Sequence, residues 1–299
     1  MTIQEIIDAT RYRLNNYEKP YLWLDAELVI LYNQAMNRFI RETLAIKDST
    51  TASICEFSTT ASTANYTLSP LIIFIQSARL ATEELLTLDV KPAQRWVIGD
   101  TLTGALSTKT CKVVEVLTDY TYVIDHRTGA FTLGESISNG TYAADQGTTY
   151  PLLSDYKTKM LTKRTVLEMD NYLRWQTSDT AEPSYFMQDS LSGNITLYQK
   201  PDDIYRVKLN VFRYPVTALS TTLLSAAPTT VPELPEEYHG DIVNGICAQA
   251  YLKRGEDTYD QKMATDCEAL FKRAIANAKV ANNKVRGAVE IAAPHNAFI

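Results

Sequence analysis

The chain switches between two hydrophobic periods, and each switch marks an element. Ile3, Ile6, Ile7, Thr10 and Leu14 recur every three to four residues, as on one face of a helix, and Thr2 with Glu5 makes a capping box at its start. Residues 15–20, ending in Pro20, close that helix. A second begins at Asp25, with Leu24 and Val29 placed for a hydrophobic staple. Leu28, Leu31, Tyr32, Ala35 and Phe39 form its apolar stripe through about Leu44. Strand-like runs follow at 53–57, 65–68 and 71–80, and a short helix is expected over 82–88.

From 93 to 150 the character changes. Six of the eleven glycines fall here, short strands are expected at 112–117 and 121–125, and Asn139-Gly140 is a type I′ hairpin signal. The segment reads as a compact all-β insert that enters and leaves its host at adjacent points. Beyond it a helix is expected around 166–175, then a hairpin of 185–189 and 195–198 turned at 192–194. Tyr205, Val207, Leu209 and Val211 share one face of the next strand and Arg206, Lys208 and Asn210 the other, the alternation of a half-buried antiparallel sheet.

The end of the chain returns to helical spacing. Pro235 takes the first position of a helix, Glu236 and Glu237 suit its positive end, and Tyr238, Ile242, Ile246 and Ala250 recur every four residues until Gly255 stops it. The next helix is capped by Thr258 with Gln261. Its wide apolar face runs through Tyr259, Met263, Cys267, Leu270, Phe271, Ala274, Ile275 and Ala278. Beyond Val280 the periodicity dissolves, and 281–299 reads as an extended tail. The fold class is α+β: a helical core of N-terminal helices and a C-terminal helical hairpin, an antiparallel β region, and an inserted small all-β domain. In domain terms, 1–92 with 151–280 is a discontinuous core and 93–150 the insert.

Composition narrows the function classes. A net charge of −6 argues against sequence-independent DNA binding, which needs a basic, phosphate-neutralising face. The longest apolar run, 71–75, is strand-sized, so no membrane span is expected, and MTIQEIIDAT reads as a helix start without a signal region, which points to the cytosol. Cys55, Cys111, Cys247 and Cys267 lie far apart without CxxC spacing and read as buried thiols, not disulfides or zinc ligands. The Asn-x-Thr sequons at Asn65, Asn139 and Asn194 carry no meaning without secretion. Eighteen tyrosines fit strands and interfaces equally well.

Catalytic chemistry has little to build on. A hydrolase needs a nucleophile with a positioned base, and the three histidines, His126, His239 and His295, stand in unrelated places. GALSTK at 104–109 resembles a phosphate loop but lacks the Gly-Lys-Ser/Thr ending. Asp202-Asp203 suits a turn and Glu236-Glu237 a helix start. The expectation is no enzyme: no catalytic, cofactor-binding or metal-binding residue is assigned.

One run points elsewhere. NITLYQKPDDIYRVKLNVFRYP, a loop, then PELPEEYHGDIVNGICAQAYLKRG, together 194–255, resembles the head–tail connector, or adaptor, proteins of tailed bacteriophages. In that family a "lyP-Pd-y-l-l-vyr-P" strand pair leads to "lPe-yh-alv-ga-a-ayl". YLWLDAELVILYNQAMNRFIRE is similar to the family's "w-d-ELl-w-NqA", with Trp23, Asp25, Glu27, Leu28, Asn33 and Ala35 at matching places. The insert, with WVIGDTLTG and GAFTLGESISNG, resembles a small β module of phage structural proteins whose hallmark is a repeated "vGd-ltG … G-F-lGE-is-G".

The resemblance implies a structural virion protein of a short-tailed phage: a homo-oligomeric ring, twelve-fold to match the portal, that joins the portal vertex to the tail. Its implied partners are the portal protein, tail nozzle or tube proteins and, through the insert, a tail spike or fibre. Genomic DNA would pass the lumen without specific binding. The implied location is the head–tail interface of the virion, and the host cytoplasm during assembly. Inter-subunit packing is expected from 2–44 and 236–278, and portal docking from 281–299. The alternatives are a receptor- or carbohydrate-binding virion module, or another neck or tail-completion protein. Clustered exposed Trp and Tyr would favour the carbohydrate reading, whereas Trp23, Trp96 and Trp175 are scattered.

Overall fold

The computed structural model describes residues 1–16, 18–125, 127–129, 131–170, 180–189, 193–227, 229–255 and 258–291, with side chains as far as 282. The chain begins with helices α1 (Ile3–Arg13) and α2 (Asp25–Thr43), followed by strand β1 (Lys47–Asp48), the single turn α3 (Ala52–Cys55), β2 (Glu56–Ser58) and β3 (Asn65–Thr67). The long strand β4 (Ile72–Thr87) leads to β5 (Thr101–Gly104), β6 (Thr110–Val116), β7 (Thr121–Asp125), β8 (Ile137–Ser138) and β9 (Ala143–Ala144). Then come β10 (Leu152–Lys163), α4 (Val166–Met169), β11 (Tyr185–Asp189), β12 (Asn194–Tyr198) and β13 (Arg206–Arg213). Helices α5 (Thr221–Ala226), α6 (His239–Ala250) and α7 (Gln261–Ile291) complete the chain. Helices and a large mixed sheet make the protein α+β, and contacts divide it into a helical unit, 1–47 with 212–299, and a β unit, 48–211.

In the helical unit, α6 is buried almost all round, from His239 to Ala250, because α1, α2 and α7 all pack on it. The expected capping box of α1 is present, with Thr2 Oγ1 accepting from Glu5 N and Glu5 accepting from Thr2 N. At α2 the staple is displaced by one residue. Leu24 is itself the N-cap and exposed, so the apolar pair at the flanking positions is Trp23 and Leu28, both buried.

The C-terminal helices also differ from expectation. Pro235 precedes a 3₁₀ turn (Glu236–Tyr238), and α6 ends at Ala250, five residues before Gly255. Asp260, not Thr258, caps α7 by accepting from Met263 N, while the Thr258 hydroxyl is spent on Lys253 O. Residues 281–291, expected as the start of an extended tail, continue α7. Five of these eleven residues are Ala, Lys, Arg or Glu, which favour a helix, and the first proline after them is Pro294. Residues 292–299 lie outside the described set.

In the β unit, the strand order is β3-β12-β11-β10-β4-β7-β6-β5-β8-β9, with β13 pairing β2 and β4. The stretch 72–87 is one strand, not a strand and a helix. Glu, Leu and Ala there suit a helix, but pairing with β10 on one side and β7 on the other overrides propensity. Residues 53–57, expected as a strand, begin with the turn of α3. Of the helix expected at 166–175 the structure describes α4, and 171–179 lie outside the described residues. The hairpin of β11 and β12 is formed with Tyr185 opposite Tyr198, and 190–192 of its turn also lie outside them.

The stretch expected as an insert lies between β4 and β10, whose ends Thr87 and Leu152 are direct partners, and its strand β7 pairs with β4. Two apolar clusters lie along β4. Ile75, Ala78 and Leu80 pack with Leu161, Phe186, Leu197, Val207, Leu209 and Val211. Leu86 belongs to the second cluster, with Trp96, Leu102, Val113, Tyr122, Ile124 and Ile137.

The repeated Gly-acid words of the insert are one turn built twice. Asp100 N donates to Val97 O and Glu135 N to Thr132 O. Gly99 and Gly134 hold the positive φ (+93° and +81°) that the third position of a type II turn requires. In each the acid's side chain accepts from the first residue of its own turn, and the strands that follow, β5 and β8, pair antiparallel. The Asn139-Gly140 hairpin exists, but its loop spans 139–142 in place of a two-residue I′ turn. The Asn139 carboxamide accepts from Thr141 N and Tyr142 N, and only Gly140 takes a positive φ.

Candidate assembly surfaces

The structure describes His239, the four cysteines and the 104–109 loop among the residues weighed for chemistry. His239 is fully buried, with Nε2 2.8 Å from Leu234 O and Nδ1 3.1 Å from the Met1 amino group. His126 and His295 lie outside the described residues. All four cysteines are buried, and burial pushes the Cys247 thiol up to about 12. Asp202 accepts from the Tyr205 hydroxyl, and Glu236 holds the Met1 amino group. Among the described residues no three His, Cys, Asp or Glu side chains are grouped to hold a metal ion, and no helix is long and apolar enough to cross a membrane.

The GALSTK loop does bind a carboxylate, but the chain's own. Leu106 N and Ser107 N both donate to Glu135 Oε2 at 2.8 Å, while Ser107 Oγ and Thr132 N donate to Oε1. Burial pushes the Glu135 carboxyl up, but the Ser107, Thr132 and Leu106 donors outweigh it and hold the group below the usual carboxylate range. Because the folded value is depressed, its stabilisation is complete above the ordinary glutamate value of about 4.3 and drains away as pH falls through the folded value. Glu135→Gln turns an NH₂ towards these donors and should cost about 1–3 kcal/mol. Thermal melts at neutral pH and near pH 3 check this: the loss should shrink at the acidic end, and an equal loss at both would contradict it.

In the helical unit, an apolar groove of about 310 Å³ lies between α2 and α6, lined by Trp23, Ile30, Leu31, Ala250 and Leu252. Its wall is held firmly. Trp23 O accepts from Arg11 and Asn16, Trp23 Nε1 donates to Ala250 O, and the Tyr251 ring stands edge-on at 6.5 Å. Leu24, Ile30 and Leu252 are 59%, 55% and 48% exposed around it. The Lys253 ammonium pairs with Glu27 at 2.9 Å on the rim, and together with Leu24 N–H keeps that carboxyl below its usual range.

Helix α7 presents a second surface. Its buried stripe is Ala264, Cys267, Phe271, Ala274, Ile275 and Ala278, so the wide face expected from the sequence is split. Met263 and Leu270 stay 40% and 47% exposed on its flank, as does Tyr259 just before the helix. Between α6 and α7, a polar groove of about 570 Å³ is lined by Glu237, Asp241, Arg273 and Asn277 among others, and burial raises the Asp241 carboxyl.

In the β unit, charges stand between the two apolar clusters of β4. The Glu84 side chain, 7% exposed, accepts from Arg127 Nε at 2.6 Å and pairs with Arg206. Arg206 also bonds Asp155 at 2.7 Å and lies 3.5 Å from Glu56, and Lys208 joins Asp155 at 2.7 Å. Nothing in the sequence reading anticipates this network. Once 72–87 is taken as a single strand, a charge at Glu84 close to Leu86 is the signal that would have found it.

Among the described residues the exposed aromatics are scattered: Tyr12, Phe74, Tyr120, Tyr156 and Tyr259. Trp23 and Trp96 are buried and offer no face on which a sugar could stack, and Trp175 lies outside the described residues. Within 93–150 the exposed aliphatic side chains among the described residues, Val97, Ile98, Leu106, Leu117 and Leu133, lie between strands.

The model of the SU10 adaptor protein family matches residues 126–292, more than half of the chain. The match takes in the run 194–255 and all of α7, whereas the α2 signature lies outside it. No curated protein matches the chain. With the match covering the strands, loop and helix of the run 194–255, the chain belongs to the SU10 adaptor protein family and is an adaptor-type phage protein.

Proposed function

We propose that this protein is a structural component of the virion, one subunit of a twelve-fold ring that connects the portal vertex to the tail and surrounds the DNA exit channel. The family match over 126–292 carries this reading. Two further observations support it. The helical unit carries exposed apolar features on different helices, as head-to-tail packing into a closed ring requires. A net charge of −6 suits a lumen through which DNA slides without sticking.

In this reading the portal protein meets one end of the ring and tail proteins the other. The insert 93–150, with its apolar turns, faces the tail or a spike or fibre, and residues 281–299 dock on the portal. The chain acts as a non-enzymatic adaptor. Mixing it with the portal protein from the same genome is the test: the chain should enter a closed ring on the portal, and a chain that never associates with it would contradict the proposal.

A further inference from the structure

We infer that the groove of one copy receives the α7 flank of the next, with Met263 and Leu270 seated against Trp23, Ile30, Leu31, Ala250 and Leu252. The inference deepens the ring reading and rests on it. A closing ring needs two different, complementary surfaces on the same subunit. In the helical unit the α2–α6 groove is concave and apolar, and α7 exposes Met263 and Leu270, the latter at the edge of the polar α6–α7 groove.

Spacing and charge agree with that pairing. Met263 and Leu270 are seven residues, two turns and about 10.5 Å, apart on one face of α7. Ridges of one helix seated in a groove between others are the ordinary mode of helix packing. The α7 flank carries Asp266 and Arg273, and on the groove rim Lys253 and Glu27 pair with each other, one charge of each sign on either side. Opposite signs can therefore meet across the contact. Contact of a ridge with a second ridge would leave the groove open and would not propagate around a ring.

Single-cysteine variants test the contact, because the four native thiols are buried. Ile30→Cys and Leu270→Cys replace half-exposed side chains, so both should fold, which circular dichroism checks. Mixed together with the portal protein and treated with a short bis-maleimide, the two variants should give a cross-linked dimer, and a chain carrying both changes should give a ladder. Either variant alone should give neither. Cross-linking of Leu270→Cys with itself would overturn the inference in favour of a symmetric contact. Rings seen by native mass spectrometry without cross-linking of the mixed pair would also overturn it, leaving the ring reading intact. No ring at all would remove both.

Discussion

Arg206→Met should destabilise the β unit by about 3 kcal/mol, near the lower end for removing one partner of a buried ion pair. Arg206 bonds Glu84 and Asp155, and Glu84 is nearly solvent-free at the point where the two apolar clusters of β4 meet. Arg127 would remain on Glu84, which keeps the loss from being larger. Lys208→Met is the comparison. Lys208 also pairs with Asp155, but its side chain is 29% exposed, and pairs open to solvent contribute only about 0–1 kcal/mol. For a unit of this size the Arg206 loss corresponds to a melting shift of roughly 6–12 °C. Equal shifts for the two variants would show that the junction is as weak as a surface pair.

The helical unit should be equally sensitive at Gly245. A methyl group added there would lie 2.9 Å from the Phe271 ring and 3.0 Å from Ala35 Cβ, so α6 meets both α7 and α2 at this residue. Neither neighbour can yield easily: both are fully buried, and Phe271 packs against Phe39 at 6.1 Å between centroids. Replacing Gly by Ala in a helix interior gains about 1 kcal/mol of propensity, whereas overpacking a tight core costs about 1–3 kcal/mol. Gly245→Ala should therefore lose about 1 kcal/mol net, and Gly245→Val, with two more methyl groups, about 3 kcal/mol. Urea unfolding of both variants checks the order. A stabilising Gly245→Ala would mean that the helices are not this close.

What can be read from the sequence depends on how local the determinant is. The capping box of α1, the hairpin of β11 and β12 and the alternation of β13 rest on neighbouring residues, and each appears where expected. The second half of β4 reads as a helix because Glu and Leu favour one; partners far along the chain make it a strand. Strand β10 escapes the sequence reading because most of its residues are exposed and polar, so no hydrophobic alternation marks it. For the candidate surfaces, the apolar residues are visible but their sorting is not. Whether Leu270 or Phe271 faces the core depends on where α2 and α6 pack against α7. Ile30 falls outside the α2 stripe, and that off-stripe apolar position is the one local hint of the groove.

The central claim is that this adaptor forms a ring by building on the portal. Native mass spectrometry of the chain alone, and then with the portal protein from the same genome, tests it most directly. The account predicts that the chain joins the portal as a closed ring with one copy for each portal subunit. A chain that stays monomeric and unbound in the presence of the portal would contradict it and return the receptor-binding alternative to the front.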